Sequence, residues 1–297
     1  MGTRPLRPVT PSILACTALM ALLACGSRTG VDLLTVSGAQ PLGSGSDASS
    51  LMDAAQPDAS SRCGDGGPSA VAYVLDAVGN LYRYYPATGQ EVLVGTPSCG
   101  DSVIAWTMTA GRDHAYIVYT DWSIYSVDLA TLACSPTPFV AGQLGLDDEF
   151  GVALTGSGAS EQLYYYGVPT GSDTAILAVS DTVSFTLSMI GPVDPMSPND
   201  PLFPVNLTAD NAGHLFAYAP EPEGDLIEID PASGAVLLLI DESLPSGPPY
   251  ATLAYEGSVY LFADNVVAQF EPPRPGPLST RMIEAGAIGA GSYIVCP

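Results

Sequence analysis

Gly224-Asp225-Leu226-Ile227-Glu228-Ile229-Asp230-Pro231-Ala232-Ser233-Gly234 alternates apolar and polar residues and then stops at a turn. Alternation with period two puts one set of side chains on each face of a strand. Asp230-Pro231 and Gly234 are turn residues, so a second strand is expected to follow. Far upstream, Gly79-Asn80-Leu81-Tyr82-Arg83-Tyr84-Tyr85-Pro86-Ala87-Thr88-Gly89 reads the same way. With Leu81 as reference, equivalents fall at Ile124, Ile176, Leu226 and Val267, spaced by 43, 52, 50 and 41 residues. A period of about forty to fifty residues with four short strands each is the signature of β-propeller blades.

The other strands fit that reading. A strand with a recurring aromatic precedes each reference strand, carrying Tyr73, Tyr116, Tyr164, Phe216 and Tyr260. Outer strands are expected at 91–94 and 236–240. Innermost strands are expected at 103–108, 150–154, 204–207 and 251–255. That is four innermost strands for five hairpins, and the first blade lacks its own. The closing stretch at 292–295 can supply it, which would close the ring and remove the open edges of the sheet. The fold class is therefore all-β, a propeller of five four-stranded blades. A sixth blade would need strands hidden in 124–176 or 176–226. Those intervals read instead as blades with long loops at 142–148 and 191–204.

Ahead of the propeller, the N-terminus reads as an export signal. Arg4 and Arg7 form a short positive region, followed by an apolar run over 13–24 that is short for a membrane span. It ends in Leu22-Leu23-Ala24-Cys25-Gly26, which resembles a bacterial lipobox. Residues 1–24 are expected to be cleaved and Cys25 to be acylated, anchoring the chain in the envelope. Gly26 after the cysteine points by the same resemblance to the outer membrane. Residues 25–69 are rich in Gly, Ser, Ala, Asp and Pro, a composition that buries too little apolar surface to order itself, and read as a flexible tether. The propeller is expected over 70–297.

Charge narrows the partners. The 297 residues hold 8 basic groups, all Arg, against 31 acidic ones, a formal charge of -23. Such a field repels phosphate backbones and excludes nucleic acid as a partner class. The remaining partner classes are a protein, a peptide or a saccharide, with membrane contact through the lipid alone.

Beyond Cys16 and Cys25 the chain holds Cys63, Cys99, Cys134 and Cys296, an even number that reads as disulfides in an oxidising compartment. Three pairings are open. If the chain ends share the first blade, Cys63 and Cys296 come close, leaving Cys99 with Cys134. Idealised strand directions put those two on opposite faces, a gap no disulfide spans.

Catalytic motifs are absent from the sequence. His114 and His214 occupy equivalent repeat positions, which argues for a structural turn role. Gly156-Ser157-Gly158 and Gly289-Ala290-Gly291 read as loops without a following helix. Asp147-Asp148-Glu149 is the densest acidic cluster but lacks the alternating spacing of calcium loops. Propellers of lactonase type hold Ca²⁺ in the central channel through Glu, Asn and Asp. Asp101, Glu149 and Asn206 stand at or near innermost strands and are the candidate ligand-binding residues here. Trp106 and Trp122 suit either interblade packing or a sugar or peptide platform.

The run from Ser102 to Asp128 continues into Ala133-Cys134-Ser135-Pro136-Thr137-Pro138-Phe139-Val140-Ala141-Gly142-Gln143. Its short hairpin, its Val-Asp strand end, and its Cys-x-x-Thr-x-Phe followed by Gly-Gln resemble an uncharacterised family of secreted, propeller-like bacterial lipoproteins. Ile288-Gly289-Ala290-Gly291 with the near-terminal Cys296 is similar to that family too. The resemblance spans most of 95–297 and departs at Asp147-Asp148-Glu149, where it implies small hydroxyl residues. It implies a fold and an envelope location, and no activity. Two functions are carried forward: an envelope-tethered binding module without catalysis, and a calcium-dependent propeller hydrolase acting at the channel.

Overall fold

A computed structural model describes residues 69–295, apart from 101–103, 148–149, 157, 194–205, 211, 220–223, 242–250, 264 and 285. Five four-stranded antiparallel sheets stand in a ring as a five-bladed β-propeller. Blade 1 comprises β1 (Ser69–Asp76), β2 (Leu81–Tyr85) and β3 (Gln90–Gly95). Blade 2 is β4 (Ala105–Ala110), β5 (His114–Tyr119), β6 (Ile124–Asp128) and β7 (Cys134–Pro136). Blade 3 is β8 (Phe150–Thr155), β9 (Gln162–Gly167), β10 (Ala175–Asp181) and β11 (Ser188–Val193). Blade 4 is β12 (Asn206–Ala209), β13 (Leu215–Ala219), β14 (Asp225–Ile229) and β15 (Val236–Asp241). Blade 5 is β16 (Ala251–Tyr255), β17 (Ser258–Ala263), β18 (Val266–Phe270) and β19 (Ser279–Met282).

The last strand, β20 (Ala287–Val295), is the innermost strand of blade 1 and pairs with β1 from Ser69↔Val295 to Asp76↔Ala287. Ring closure by the C-terminal strand is thus as expected, over a longer segment than 292–295. Two expected loops are corrected. Gly289-Ala290-Gly291 lies inside β20, and Gly191 to Val193 belong to β11. Glycine and proline read as loop signals in both places. In β20 the glycines serve close packing, and Pro192 sits on an outermost strand, where a missing N–H costs no ladder bond on the open side.

The turn that ends the third strand of blades 2, 3 and 4 repeats one device. Asp128 accepts hydrogen bonds from the Ala130 and Thr131 amides and the Thr131 hydroxyl. Asp181 does the same with Val183 and Ser184, and the Asp230 carboxylate accepts from the Ala232 amide and the Ser233 hydroxyl. The residue after the hydroxyl then adopts positive φ: Leu132 at 59°, Phe185 at 52°, Gly234 at 79° and, in blade 1, Gly89 at 73°. Leu132 and Phe185 hold a conformation that L side chains rarely adopt, and both point at the preceding blade. Leu132 rests against Gly95, where a Cβ would have no room, and Phe185 meets Tyr116 edge to face at 5.7 Å. The turn residue doubles as an interblade plug.

The core consists of separate apolar clusters between neighbouring blades, which suits a ring of sheets packed face to face. Cys99 and Cys134 are disulfide-bonded, with Cα atoms 5.2 Å apart. The face-to-face objection fails because Cys99 lies four residues beyond β3, in a connection that dips between blades 1 and 2. It is buried there in a cluster with Tyr73, Leu81 and Met108. Cys25, Cys63 and Cys296 lie outside the described residues.

Candidate functional site

The ring axis is built from small residues at equivalent register positions. Thr107, Gly151, Asn206, Ala251 and Gly289 face the residue two places beyond the recurring aromatic of the second strand in each blade. Two residues on, Thr109, Ala153, Thr208, Leu253 and Gly291 lie opposite the recurring aromatic. All ten are buried. Five inner strands meet so closely that a Cβ on Gly291 would stand within bonding-type distance of the Ala110 amide nitrogen, and one on Gly151 2.6 Å from that of Leu207. Side chains join what the glycines leave open. The Leu154 amide donates to Thr109 at 3.0 Å, the Ala254 amide to Thr208 at 3.1 Å, and the Ser292 hydroxyl to the Ala254 carbonyl at 2.6 Å. At these two layers neighbouring inner strands pack directly against one another.

This decides where the channel candidates stand. Asn206, at the start of β12, is 3% exposed, and its Oδ1 accepts the Thr107 hydroxyl at 3.0 Å across blade 3. Its side chain ties non-adjacent blades 2 and 4. Asp101 and Glu149, with Asp148, lie outside the described residues. Among the described residues no group of three His, Cys, Asp or Glu side chains is arranged to hold a metal ion.

The histidines do different local work at equivalent places. His214 Nδ1 lies 2.9 Å from Asp210 Oδ2 within its own hairpin. In blade 2 Gly111 takes the position of Asp210, and His114 Nε2 instead reaches Glu161 of blade 3 at 3.2 Å, at an angle that makes no hydrogen bond. Trp106 and Trp122 meet edge to face at 5.8 Å, and Trp122 packs on Phe150 at 5.6 Å. These aromatics serve the joint between blades 2 and 3.

A groove of about 560 Å³ runs along blade 1 where the ring closes. Its walls include Asp76, Val78, Tyr82, Glu91, Leu93 and Glu284. The β1–β2 turn supplies Asp76, whose carboxylate accepts the Val78 and Asn80 amides, the Asn80 side chain and the Tyr82 hydroxyl. Burial, with Asp76 beside it, raises the pKa of Tyr82. Across the groove the Glu284 amide donates to Glu91 Oε2 at 3.0 Å, and Arg281 reaches the Pro86 carbonyl at 2.9 Å. Beneath lies Tyr84, edge-on to Phe262 at 5.2 Å and pushed by burial to a pKa of about 12. The groove unites residues about 190 positions apart, so only the β1–β20 pairing reveals it.

No known protein family matches the sequence, and no curated protein matches it. Solved structures similar to this chain include a protein of unknown function from Bacteroides caccae, at 9% identity, 73% of each chain and a TM-score of 0.43. Saccharomyces cerevisiae Sqt1 is similar at 10% identity over 76% of this chain and 65% of its own, with a TM-score of 0.43. The computationally designed Ika8 protein matches at 12% identity, 74% and 61% coverage, and a TM-score of 0.40.

Proposed function

We propose that this chain is a non-catalytic binding protein, exported, acylated at Cys25 and tethered to the cell envelope, at the outer membrane by its lipobox resemblance. The observation that carries the binding reading over channel hydrolysis is the use already made of Asn206, whose side chain is buried and accepts the Thr107 hydroxyl across blade 3. A channel-bound calcium ion held by Asn206 would have to displace that hydroxyl. The groove on blade 1 is open and polar, and it suits a peptide, protein segment or saccharide. Strand directions support its accessibility on a tethered molecule. Ser69 and Val295 pair at one rim of the ring, so a tether would join there. The Val78 turn and the segment after β19 lie at the other rim.

The test is a thermal-shift screen of peptides, saccharides and divalent cations on the purified chain, with elemental analysis before and after chelation. A saccharide or peptide that raises the melting temperature while calcium leaves it unchanged supports binding without catalysis. Stoichiometric, tightly held calcium that raises the melting temperature would replace this reading with the channel hydrolase. Acylation is checked separately by mass spectrometry of membrane-extracted protein, where an unmodified Cys25 would remove the tether.

A further inference from the structure

Among the described residues the outermost strand of every blade has an unpaired edge, and such edges are usually blunted. β7 has 3 residues, β19 has 4 and carries Arg281, and β11 contains Pro192. β3 and β15 have 6 residues each and contain no Pro, Lys or Arg, the only charge on β3 being Glu91. β3 differs from β15 in having the groove beside it and consecutive exposed apolar residues, Val92 at 43% and Leu93 at 58%. An edge long enough to pair, free of proline and with a pocket alongside, is what strand addition requires. The main chain of an extended peptide pairs with the edge, and alternate side chains enter the pocket.

The register says which side those side chains take. Glu91 and Leu93 pair with Tyr84 and Tyr82, on the side that packs toward blade 5. A strand added to β3 would therefore set every second side chain over the groove. Asp76, Glu91 and Glu284 make that wall acidic, Val78 and Leu93 make it apolar in part, and the whole chain carries -23. We propose that β3 and its groove receive an extended segment of a partner protein in which basic residues alternate with β-branched ones, paired antiparallel or parallel to β3, its Lys or Arg side chains set between Glu91 and Glu284. This rests on the binding reading above and names the partner class for the groove.

The probe is a blocked ten-residue peptide of alternating Lys and Val, labelled for fluorescence polarisation and added to the purified chain. Hydrogen exchange of the β3 amides is expected to slow at least about tenfold at saturation, since an added strand closes the open edge. Affinity is expected to weaken with salt, because dissolved ions screen the attraction between the acidic wall and the basic peptide. Glu91→Gln with Glu284→Gln should weaken binding about tenfold, whereas Asp173→Asn with Glu256→Gln, the same charge change elsewhere, should alter it less than about twofold. Glu284→Gln alone serves if the first pair lowers the melting temperature. Equal weakening by both pairs, unchanged β3 exchange in the bound state, or equal affinity of a Glu-for-Lys or proline-centred peptide would each overturn the proposal. None of those results touches the binding reading, which its own ligand screen decides.

Discussion

Replacing Cys99 and Cys134 together by alanine tests whether the joint between blades 1 and 2 is held by cross-linking or by packing. The bridge spans 35 residues of sequence. Closing a loop of that size removes about 13 cal/mol/K from the unfolded chain, about 4 kcal/mol at 25 °C. For a propeller of this size that corresponds to a melting temperature lower by about 10 °C. Packing would give a different signature. Cys99 is buried among apolar residues, and alanine would remove one sulfur from the cluster without touching the unfolded state. Urea unfolding separates the two. Releasing the cross-link exposes more surface in the unfolded chain, so the denaturant slope should rise while the midpoint falls. A loss below about 1 kcal/mol with an unchanged slope would refute the argument, because it would assign the joint to side-chain packing alone.

Gly291→Val should destabilise at or above the upper end of the about 1–3 kcal/mol typical of overpacking, because its Cβ meets the Ala110 backbone, and urea midpoints check it. Phe185→Ala should cost about 3–5 kcal/mol by emptying the plug against Tyr116, again read from urea unfolding. The Thr131 hydroxyl and amide hold Asp128 below the ordinary carboxylate pKa, the Ser184 amide and hydroxyl do so for Asp181, and the Ser233 hydroxyl for Asp230. Their contribution is fully present above the unfolded carboxylate value and is lost as pH falls through the depressed folded values, so a triple Asp→Asn variant should lose less stability between pH 7 and pH 3 than the parent. We also propose that Cys63 and Cys296 pair, since the Ser69↔Val295 pair brings the two ends of the described chain together, and Cys63 precedes Ser69 closely as Cys296 follows Val295; peptide mapping without reductant should recover that cross-link, and free thiols at both would exclude it.

The fold was legible because its signals are local and repeated. Leu226 to Ile229 with Asp230 and Ser233 is a strand and a turn within ten residues, and copies at Ile124 and Ile176 make the same carboxylate-hydroxyl turn. Strand exchange was legible by counting, since blade 1 had no inner strand and the C-terminus had no partner. The misreadings share a cause. Gly289 and Gly291 were taken for a loop because glycine has two uses. It bends a chain, or it lets two backbones meet, and only the nearness of Thr109 and Ala110 says which applies.

Site geometry is of another order. The sequence pointed at the axis because inner strands converge there, but convergence of five strands leaves less room than convergence of six or seven. Small side chains at Thr107, Gly151, Ala251 and Gly289 answer that crowding, and in the sequence they are scattered singletons. Asn206 illustrates the ambiguity. A polar residue at the mouth of an inner strand has the chemistry of a ligand, and the same chemistry makes it the acceptor for Thr107 from a blade two places away. The groove escaped notice for the converse reason. Asp76 reads as an ordinary turn aspartate, and its carboxylate does hold the turn at Val78 and Asn80. What makes it part of a wall is Glu284 arriving from the other end of the chain to donate to Glu91. The surface offered to a partner is thus created by ring closure itself, and a chain that failed to zip β20 onto β1 would lose the groove together with its stability.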